Sequence, residues 1–432
     1  MKTEYTIKCL KCGKSYTDGI MTLTDGCNEP AFLRTVYTKK RISPGDRALG
    51  LYMYGDWLPL RRSIRGSSAP VSYRGEKLGE KIGVKNLCIT FNGYWPERGV
   101  NMTTGTFKEC EAYSVCARLP ESFDQTLVVS SAGNTARAFA RVCSENNIPL
   151  IVVIPERNLD VMWFTEPVNP CVKLIVAGED SDYTDAIVLA DFISGMEGFV
   201  AEGGAKNVAR RDGMGTSMLS AVTTFGEIPH YYFQAIGSGT GAIAAWEANL
   251  RLIEDGRYGK RKARLYVSQN APFTPIYDSW KRGSREFIEP DPHIARAQIG
   301  TIYAKVLSNR KPPYGIKGGL YDALLDTGGD VLKVENQEAE AAAGLFRETE
   351  GIDIAPEAAV ALASLINRVK EGEIEEEALI MLNITGGGME RLRREKKLYY
   401  LKPTGRVIRK EISREKVEEV IGEITAKKEY RR

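Results

Sequence analysis

The feature that most limits the fold is an alternation. Short apolar runs take turns with amphipathic stretches of helical period from about residue 127 to residue 268. Strand-length runs lie over 127–130, 149–154, 172–176, 231–236 and 263–268, with a shorter one at 199–201. Helical patterns lie over 135–145, 183–192, 215–225 and 242–255. A helix between two strands carries the chain back to where it started, so the next strand runs parallel to the last. The spacing predicts an α/β fold with mainly parallel sheets. Two later helices are predicted over 337–348 and 355–371. A buried strand over 378–384 then runs into Thr385-Gly386-Gly387-Gly388. Beyond about residue 402 the chain is rich in charge, with a helical pattern over 414–426. Residues 63–71 and 309–319 are rich in Gly, Pro and Ser and read as loops. The second is long enough for a functional loop. No repeat is visible.

Composition sets outer bounds. A chain of 432 residues corresponds to roughly two to three domains. With 43% hydrophobic and 27% charged residues it is not mainly disordered. The 59 Lys and Arg against 56 Asp and Glu leave a net charge of +3, which implies no general grip on nucleic acid. Only 2 residues are His, so a site built from several histidines is excluded, whereas 42 Gly ask where the backbone turns tightly or approaches a ligand. The start, MKTEYTIKCLKCGKSY, is polar and lacks the apolar core of a secretory signal, and no apolar run is long enough to span a membrane. A soluble, cytoplasmic protein is expected.

Eight cysteines lie at 9, 12, 27, 88, 110, 116, 143 and 171. In a chain of this length that is no disulfide scaffold. Cys9-Leu10-Lys11-Cys12-Gly13 has the form of a knuckle that offers two thiolates to one metal, and Cys27 is a possible third ligand. No Cys or His follows within ten residues to close the tetrahedron, so no metal is assigned, and zinc at these three cysteines stays an open question.

Four segments carry residues suited to chemistry. Lys108, in Thr103-Thr104-Gly105-Thr106-Phe107-Lys108-Glu109, stands at the start of a predicted helix beside an apolar Phe. Desolvation and the helix's positive end both disfavour an ammonium there, and a neutral lysine is what a Schiff base needs. It is equally one of many lysines. Ser130-Ser131-Ala132-Gly133-Asn134-Thr135 joins a strand to a helix. It offers backbone N–H groups and hydroxyls to a carboxylate, or else a simple N-cap. Gly237-Ser238-Gly239-Thr240-Gly241 also joins strand to helix and would let the backbone wrap a phosphate. It is not GxGxxG and has no acidic residue about twenty positions on at a strand end. No GK[ST] follows it either, so a monophosphate fits better than a dinucleotide or a nucleoside triphosphate. Thr385-Gly386-Gly387-Gly388 is a fourth strand-to-turn junction.

The order of these segments is more specific than any one of them. Lysine, SAGNT, GSGTG and TGGG in that sequence resemble the fold type II (β-family) pyridoxal-phosphate enzymes, over residues from about 95 to 390. The resemblance implies two open, twisted, mainly parallel sheets flanked by helices, here with a small N-terminal knuckle segment. It implies pyridoxal 5'-phosphate as cofactor, with Lys108 as the Schiff-base lysine and Asn134 bonded to the cofactor's 3'-oxygen. Gly237, Ser238, Gly239, Thr240 and Gly241 would then hold the phosphate, Thr385 would face the pyridine nitrogen, and Ser131, Ala132, Gly133 and Thr135 would hold the substrate carboxylate. The implied division of the chain is a knuckle segment at 1–45 and a large cofactor domain at 46–120 and 206–402. A small closing domain at 121–205 and a charged tail at 403–432 complete it.

Asn92-Gly93-Tyr94-Trp95-Pro96-Glu97, the run from Gly203 to Thr216 (GGAKNVARRDGMGT) and Tyr232-Phe233-Gln234-Ala235-Ile236 are similar to one branch of that family. That branch implies β-replacement on O-phospho-L-serine by sulfite, giving L-cysteate and phosphate on a route to coenzyme M. Both reactants are anions, so cations are expected at the site. Lys206, Arg210 and Arg211 are the candidates by chemistry and position, an Arg fork being matched to phosphate or sulfonate oxygens. The same run also reads as a solvated surface with Asp212 as partner. Two alternatives stay open: a threonine synthase acting on O-phosphohomoserine, and a relative that binds ligand without turnover. Family habit implies a homo-oligomer with small-molecule substrates and neither nucleic acid nor membrane as partner.

Overall fold

The computed structural model describes residues 2–19, 21–24, 30–131, 133–178 and 181–429. Three sheets organise it. The strand Tyr5–Cys9 lies antiparallel between Ser15–Tyr16 and Leu33–Tyr37 in a small N-terminal sheet. A six-stranded sheet runs in the spatial order Asp330–Val334, Arg264–Asn270, Tyr231–Ala235, Leu379–Ile384, Asn86–Phe91 and Val71–Arg74. Its first five strands are parallel, and only Val71–Arg74 is antiparallel, on the edge. A five-stranded, wholly parallel sheet runs in the order Phe199–Ala201, Thr126–Ser130, Leu150–Pro155, Val172–Gly178 and Gly405–Ile408. The central strands are almost continuous apolar runs, buried at every residue but Lys173, as parallel strands covered on both faces by helices must be.

The alternation from residue 127 onward is realised strand for strand, whereas Asn86–Phe91, Val71–Arg74 and Asp330–Val334 were not anticipated by it. The last strand of the smaller sheet is a correction to the sequence-based expectation. Residues 405–429 are joined to this sheet and are not a separate tail. Gly405–Ile408 pairs in parallel with Val172–Gly178, and the helix Arg414–Glu429 packs on that strand and on the helix Tyr183–Ser194. Val417, Val420, Ile421 and Ile424 enter the apolar cluster under this sheet, so the helical period of that charged segment carries a buried face.

The helix expected over 215–225 begins earlier, as Val208–Phe225, capped by the Asn207 side chain on Ala209 N (3.0 Å). It packs against the helix Lys108–Arg118. At their crossing a Cβ on Gly213 would lie 2.3 Å from the Cys110 carbonyl oxygen. Only a glycine allows that approach, and it brings the first turns of both helices to one cleft. No helix among the described residues is long and apolar enough to cross a membrane.

Candidate active site

The site lies where parallel strands end at their carboxyl edges, the usual place for ligands in α/β sheets. Two of those edges are locked together by side-chain amides. Asn92 Nδ2 donates to Asn383 Oδ1 (2.9 Å), and Asn92 Oδ1 accepts from Ser217 (3.0 Å). Both asparagines are buried and close two neighbouring strands. From there the backbone brings distant segments together. Thr106 bridges to Gly386, Gly387 N donates to Gly105 O (3.0 Å), and Phe107 N donates to Thr385 O (2.9 Å). Thr385 therefore stands beside the segment that presents Lys108.

Lys108 opens its helix behind Phe107, and no side chain caps that helix start. Its Nζ donates to Glu111 Oε2 at 3.3 Å and lies 3.9 Å from Met214 Sδ and 4.9 Å from the centre of the Phe107 ring. Glu111 is wholly buried. The amine thus has one carboxylate partner and two apolar neighbours, Met214 and Phe107, at the wall of the cleft.

Ser131, Gly133, Asn134 and Thr135 line the same cleft, while Ala132 falls outside the described residues. Gly133 has φ 151°, and a Cβ there would meet Val161 Cγ2 at 2.7 Å. Its N–H donates to Ser131 Oγ (2.9 Å), and the helix Asn134–Glu145 begins without a side-chain cap. The simple N-cap function is therefore not what these hydroxyls perform, and the first-turn N–H groups are left for an anion. Asn134 Nδ2 donates to Glu357 Oε1 (2.9 Å), and Asn134 Oδ1 accepts from Arg137 Nη2 (3.1 Å).

Gly237, Ser238, Gly239, Thr240 and Gly241 line the same cleft. The helix Thr240–Asp255 starts from Gly239 without a side-chain cap, and the Ser238 and Thr240 hydroxyls meet at 2.7 Å. One amine, helix starts without side-chain caps, the Asn134 amide and the hydroxyls of Ser238, Thr240 and Thr385 share a single cleft. This donor set fits pyridoxal phosphate: an amine for an aldehyde, a phosphate cradle, and neutral donors for a phenolic oxygen and a ring nitrogen.

The three cations expected for substrate separate. Arg210 lines the cleft. Its guanidinium forks onto Glu202, with Nε donating to Oε1 at 2.8 Å and Nη2 to Oε2, and Nη1 lies 3.5 Å from Glu111 Oε1. Arg211 does not reach the cleft. It is fully buried on another side of the helix, paired with Glu247 (3.0 Å) and bonded to the Leu33 and Ala205 carbonyls, where it stacks on Phe32. Lys206, which is exposed, ends the turn Gly204–Lys206 and does not line the cleft either. Asp212 accepts from Tyr37, Thr35 and Arg251 at 2.5–2.6 Å. The run ARRD is therefore a buried bolt that fastens the N-terminal sheet to the core, with one arginine turned to the cleft.

Several lining residues were not singled out by sequence, namely Tyr183, Gln234, Asn309 and Glu357. Gln234 carried a readable signal, an uncharged polar residue in the middle of a fully buried strand, where it accepts from Tyr232 and from Asn383 Nδ2 (3.0 Å). At the N-terminal knuckle Cys9 Sγ accepts from Lys11 N and Cys12 N at 3.4 Å. Cys27 lies outside the described residues. Among the described residues no group of three or more His, Cys, Asp or Glu is placed to hold a metal ion.

Comparison with known proteins agrees with this geometry. A family model described as pyridoxal-phosphate dependent enzyme matches residues 97–386. The chain is 46% identical over 420 residues to a cysteate synthase of Methanocella paludicola, covering 96% of this chain and 97% of the relative. It is 47% identical over 395 residues to one of Methanocorpusculum labreanum, covering 91% and 95%. Among solved structures, maize serine racemase superposes with a TM-score of 0.57 at 16% identity, over 76% of this chain and 91% of that one. Threonine deaminase isoform 2 of Solanum lycopersicum does so with a TM-score of 0.57 at 15% identity, over 82% and 98%. At such identities these structures speak for the fold alone.

Proposed function

The chain belongs to the pyridoxal-phosphate-dependent enzyme family and, within it, to the cysteate synthases, and from that premise we propose that it converts O-phospho-L-serine and sulfite to L-cysteate and phosphate. Bound pyridoxal phosphate supplies the aldehyde that takes the substrate amine and the electron sink for the carbon beside it. The protein supplies binding, orientation and proton transfer. The N–H groups and hydroxyls around Ser131, Gly133 and Thr135 hold the substrate carboxylate. Lys108 Nζ takes the proton from Cα as general base. Phosphate leaves Cβ, sulfite bonds to Cβ, and Lys108 returns the proton to Cα. Arg210 is the cation that meets the leaving phosphate and the entering sulfite. Residues 237–241 hold the cofactor phosphate, and Asn134 donates to the cofactor's 3'-oxygen. Thr385 offers a hydroxyl to the ring nitrogen. Unlike a carboxylate, a hydroxyl does not fix a proton there, which favours elimination over transamination.

One observation carries this assignment: Lys108, Asn134, the 237–241 loop, Thr385 and Arg210 line a single cleft. The test is incubation of the holoenzyme with O-phosphoserine or O-phosphohomoserine, each with and without sulfite, with product identification. Sulfite-dependent cysteate with matching phosphate release is the expected result. Threonine from O-phosphohomoserine, or no phosphate from either compound, would overturn it.

A further inference from the structure

Glu357 is the one carboxyl group, among the described residues, that lines both the cofactor cleft and the neighbouring cleft walled by Arg137, Trp163 and Tyr303. It is the second residue of the helix Pro356–Lys370, behind a proline at the first position. An acid there ordinarily faces water and complements the helix dipole. This one is turned inward and is 8% exposed. Burying a carboxyl is costly unless its oxygens are bonded, so its partner matters.

That partner is Asn134. A side-chain amide has two ends of nearly equal shape, and only its neighbours decide which end points where. Arg137 can only donate, so its 3.1 Å contact fixes the Asn134 oxygen. Glu357 Oε1 accepts at 2.9 Å, so it fixes the nitrogen. One N–H of Asn134 is then spoken for, and the second is left to the cleft. Arg137 is itself immobile. It donates twice to the Thr104 carbonyl (2.8 and 3.2 Å) and once to that of Val161 (2.9 Å), and it lies 4.2 Å from the centre of the Trp163 ring. The Thr104 carbonyl belongs to the segment that leads into Lys108. Arg137 and Glu357 are both buried and are joined through the asparagine amide.

We propose that Glu357 is a positioning residue of the cofactor site, holding the Asn134 amide so that its second N–H is aimed at the cofactor's 3'-oxygen. The proposal rests on the assignment of Asn134 to that oxygen, and the test separates the two. Burial pushes the Glu357 carboxyl above the usual glutamate range and brings the Arg137 guanidinium down to about 10.

The experiment uses holoenzyme of the parent, E357A, E357Q, N134A and N134A/E357A. The readouts are the dissociation constant for pyridoxal phosphate and the pH midpoint of the bound cofactor's visible absorbance, each beside a melting curve. E357A is expected to weaken cofactor binding about 5- to 30-fold, the loss of one or two buried hydrogen bonds, and to move the midpoint. E357Q keeps an acceptor and stays within about twofold of the parent, well inside the effect of one hydrogen bond. The double variant is no worse than N134A, because Glu357 acts through Asn134. E357L, near in size but without an acceptor, replaces E357A if that variant does not fold. Parent-like affinity and midpoint in E357A, or effects of E357A and N134A that add, would overturn the positioning role. A parent-like N134A would instead overturn the assignment of Asn134 to the 3'-oxygen.

Discussion

Lys108 and Glu111 stand one helical turn apart, with Nζ and Oε2 3.3 Å from each other, and the other oxygen of Glu111 is 3.5 Å from Arg210. Spacing of i and i+3 puts the lysine and the carboxylate on one face of the helix. A single buried carboxylate therefore stands between the two cations that line the cleft. Removing one of them leaves Glu111 the other. In the proposed reaction Lys108 would exchange this bond for one to cofactor or substrate, and Arg210 would remain beside Glu111.

Replacing Lys108 by Ala should abolish the visible absorbance of bound cofactor and lower phosphate release by about 10²- to 10⁴-fold, the usual range for loss of an acid–base group. Absorbance after reconstitution and a phosphate assay read both. A K108A protein that keeps the parent's band would assign the covalent link to another amine.

For Arg210 the informative change is to Lys. It keeps the charge but loses the fork that holds Glu202 in two bonds and, with it, the remaining N–H groups that would reach an oxyanion. KM for O-phosphoserine should rise roughly 10-fold or more, as expected for a lost charged hydrogen bond, with a smaller change in kcat. An unchanged KM would remove Arg210 from the substrate site.

Arg210 and its neighbour also show where the sequence stops being legible. Consecutive helical residues project about 100° apart, so only one of Arg210 and Arg211 can face the cleft. The choice depends on the phase of a helix whose charged start hid its true beginning at Val208. Local signals were readable: Lys108 at a helix start, SAGNT and GSGTG at strand-to-helix junctions. The pairing of Thr106 with Gly386 is not local, and only the assembled sheet supplies it. Glu357 looks like any acid in a first helical turn, and nothing in one sequence says that it faces inward. The strand Gly405–Ile408 is four residues in a charged stretch, too short for periodicity to reveal.

Gly133→Ala should be felt at the site more than in the fold. Its φ of 151° is a backbone conformation that L side chains rarely adopt, and Val161 occupies the space a methyl would need. The cost is about 1–3 kcal/mol of local strain. It is expected to appear as a higher KM for O-phosphoserine with a melting temperature only modestly reduced. A parent-like KM would mean that the Ser131–Thr135 turn does not hold substrate.

Asp18 forks onto Arg118, the last residue of the Lys108 helix, at 2.6 and 2.7 Å, and Arg118 is fully buried. Breaking a buried pair from one side costs about 3–5 kcal/mol, so Asp18→Asn should lower the melting temperature markedly. Burial alone would raise the Asp18 carboxyl, but its bonds to Arg118 outweigh that and hold it below the usual range. A depressed acid contributes stability above its unfolded pKa and loses it as pH falls through the folded one. The gap between parent and D18N should therefore be wide near neutrality and close in acid. A gap that stays constant with pH would mean that the charge of Asp18 is not what holds the helix end.

Glu357 makes the opposite prediction. Burial raises its carboxyl, with Arg137 and Asn134 only partly opposing the shift. A raised acid contributes stability fully present below its unfolded pKa and lost as pH rises through the folded one, because the unfolded chain ionises more readily. Glutamine imitates the neutral acid and carries no such loss. Melting curves of parent and E357Q from about pH 4 to about pH 8, a span that starts near the ordinary glutamate value, should begin close together and separate as pH rises, with E357Q ahead. D18N closes its gap in acid and E357Q opens its own toward alkali, so one set of melts tests both signs. A difference that is flat, or that favours the parent at the higher pH, would show that Glu357 is an ordinary carboxylate held ionised by Arg137.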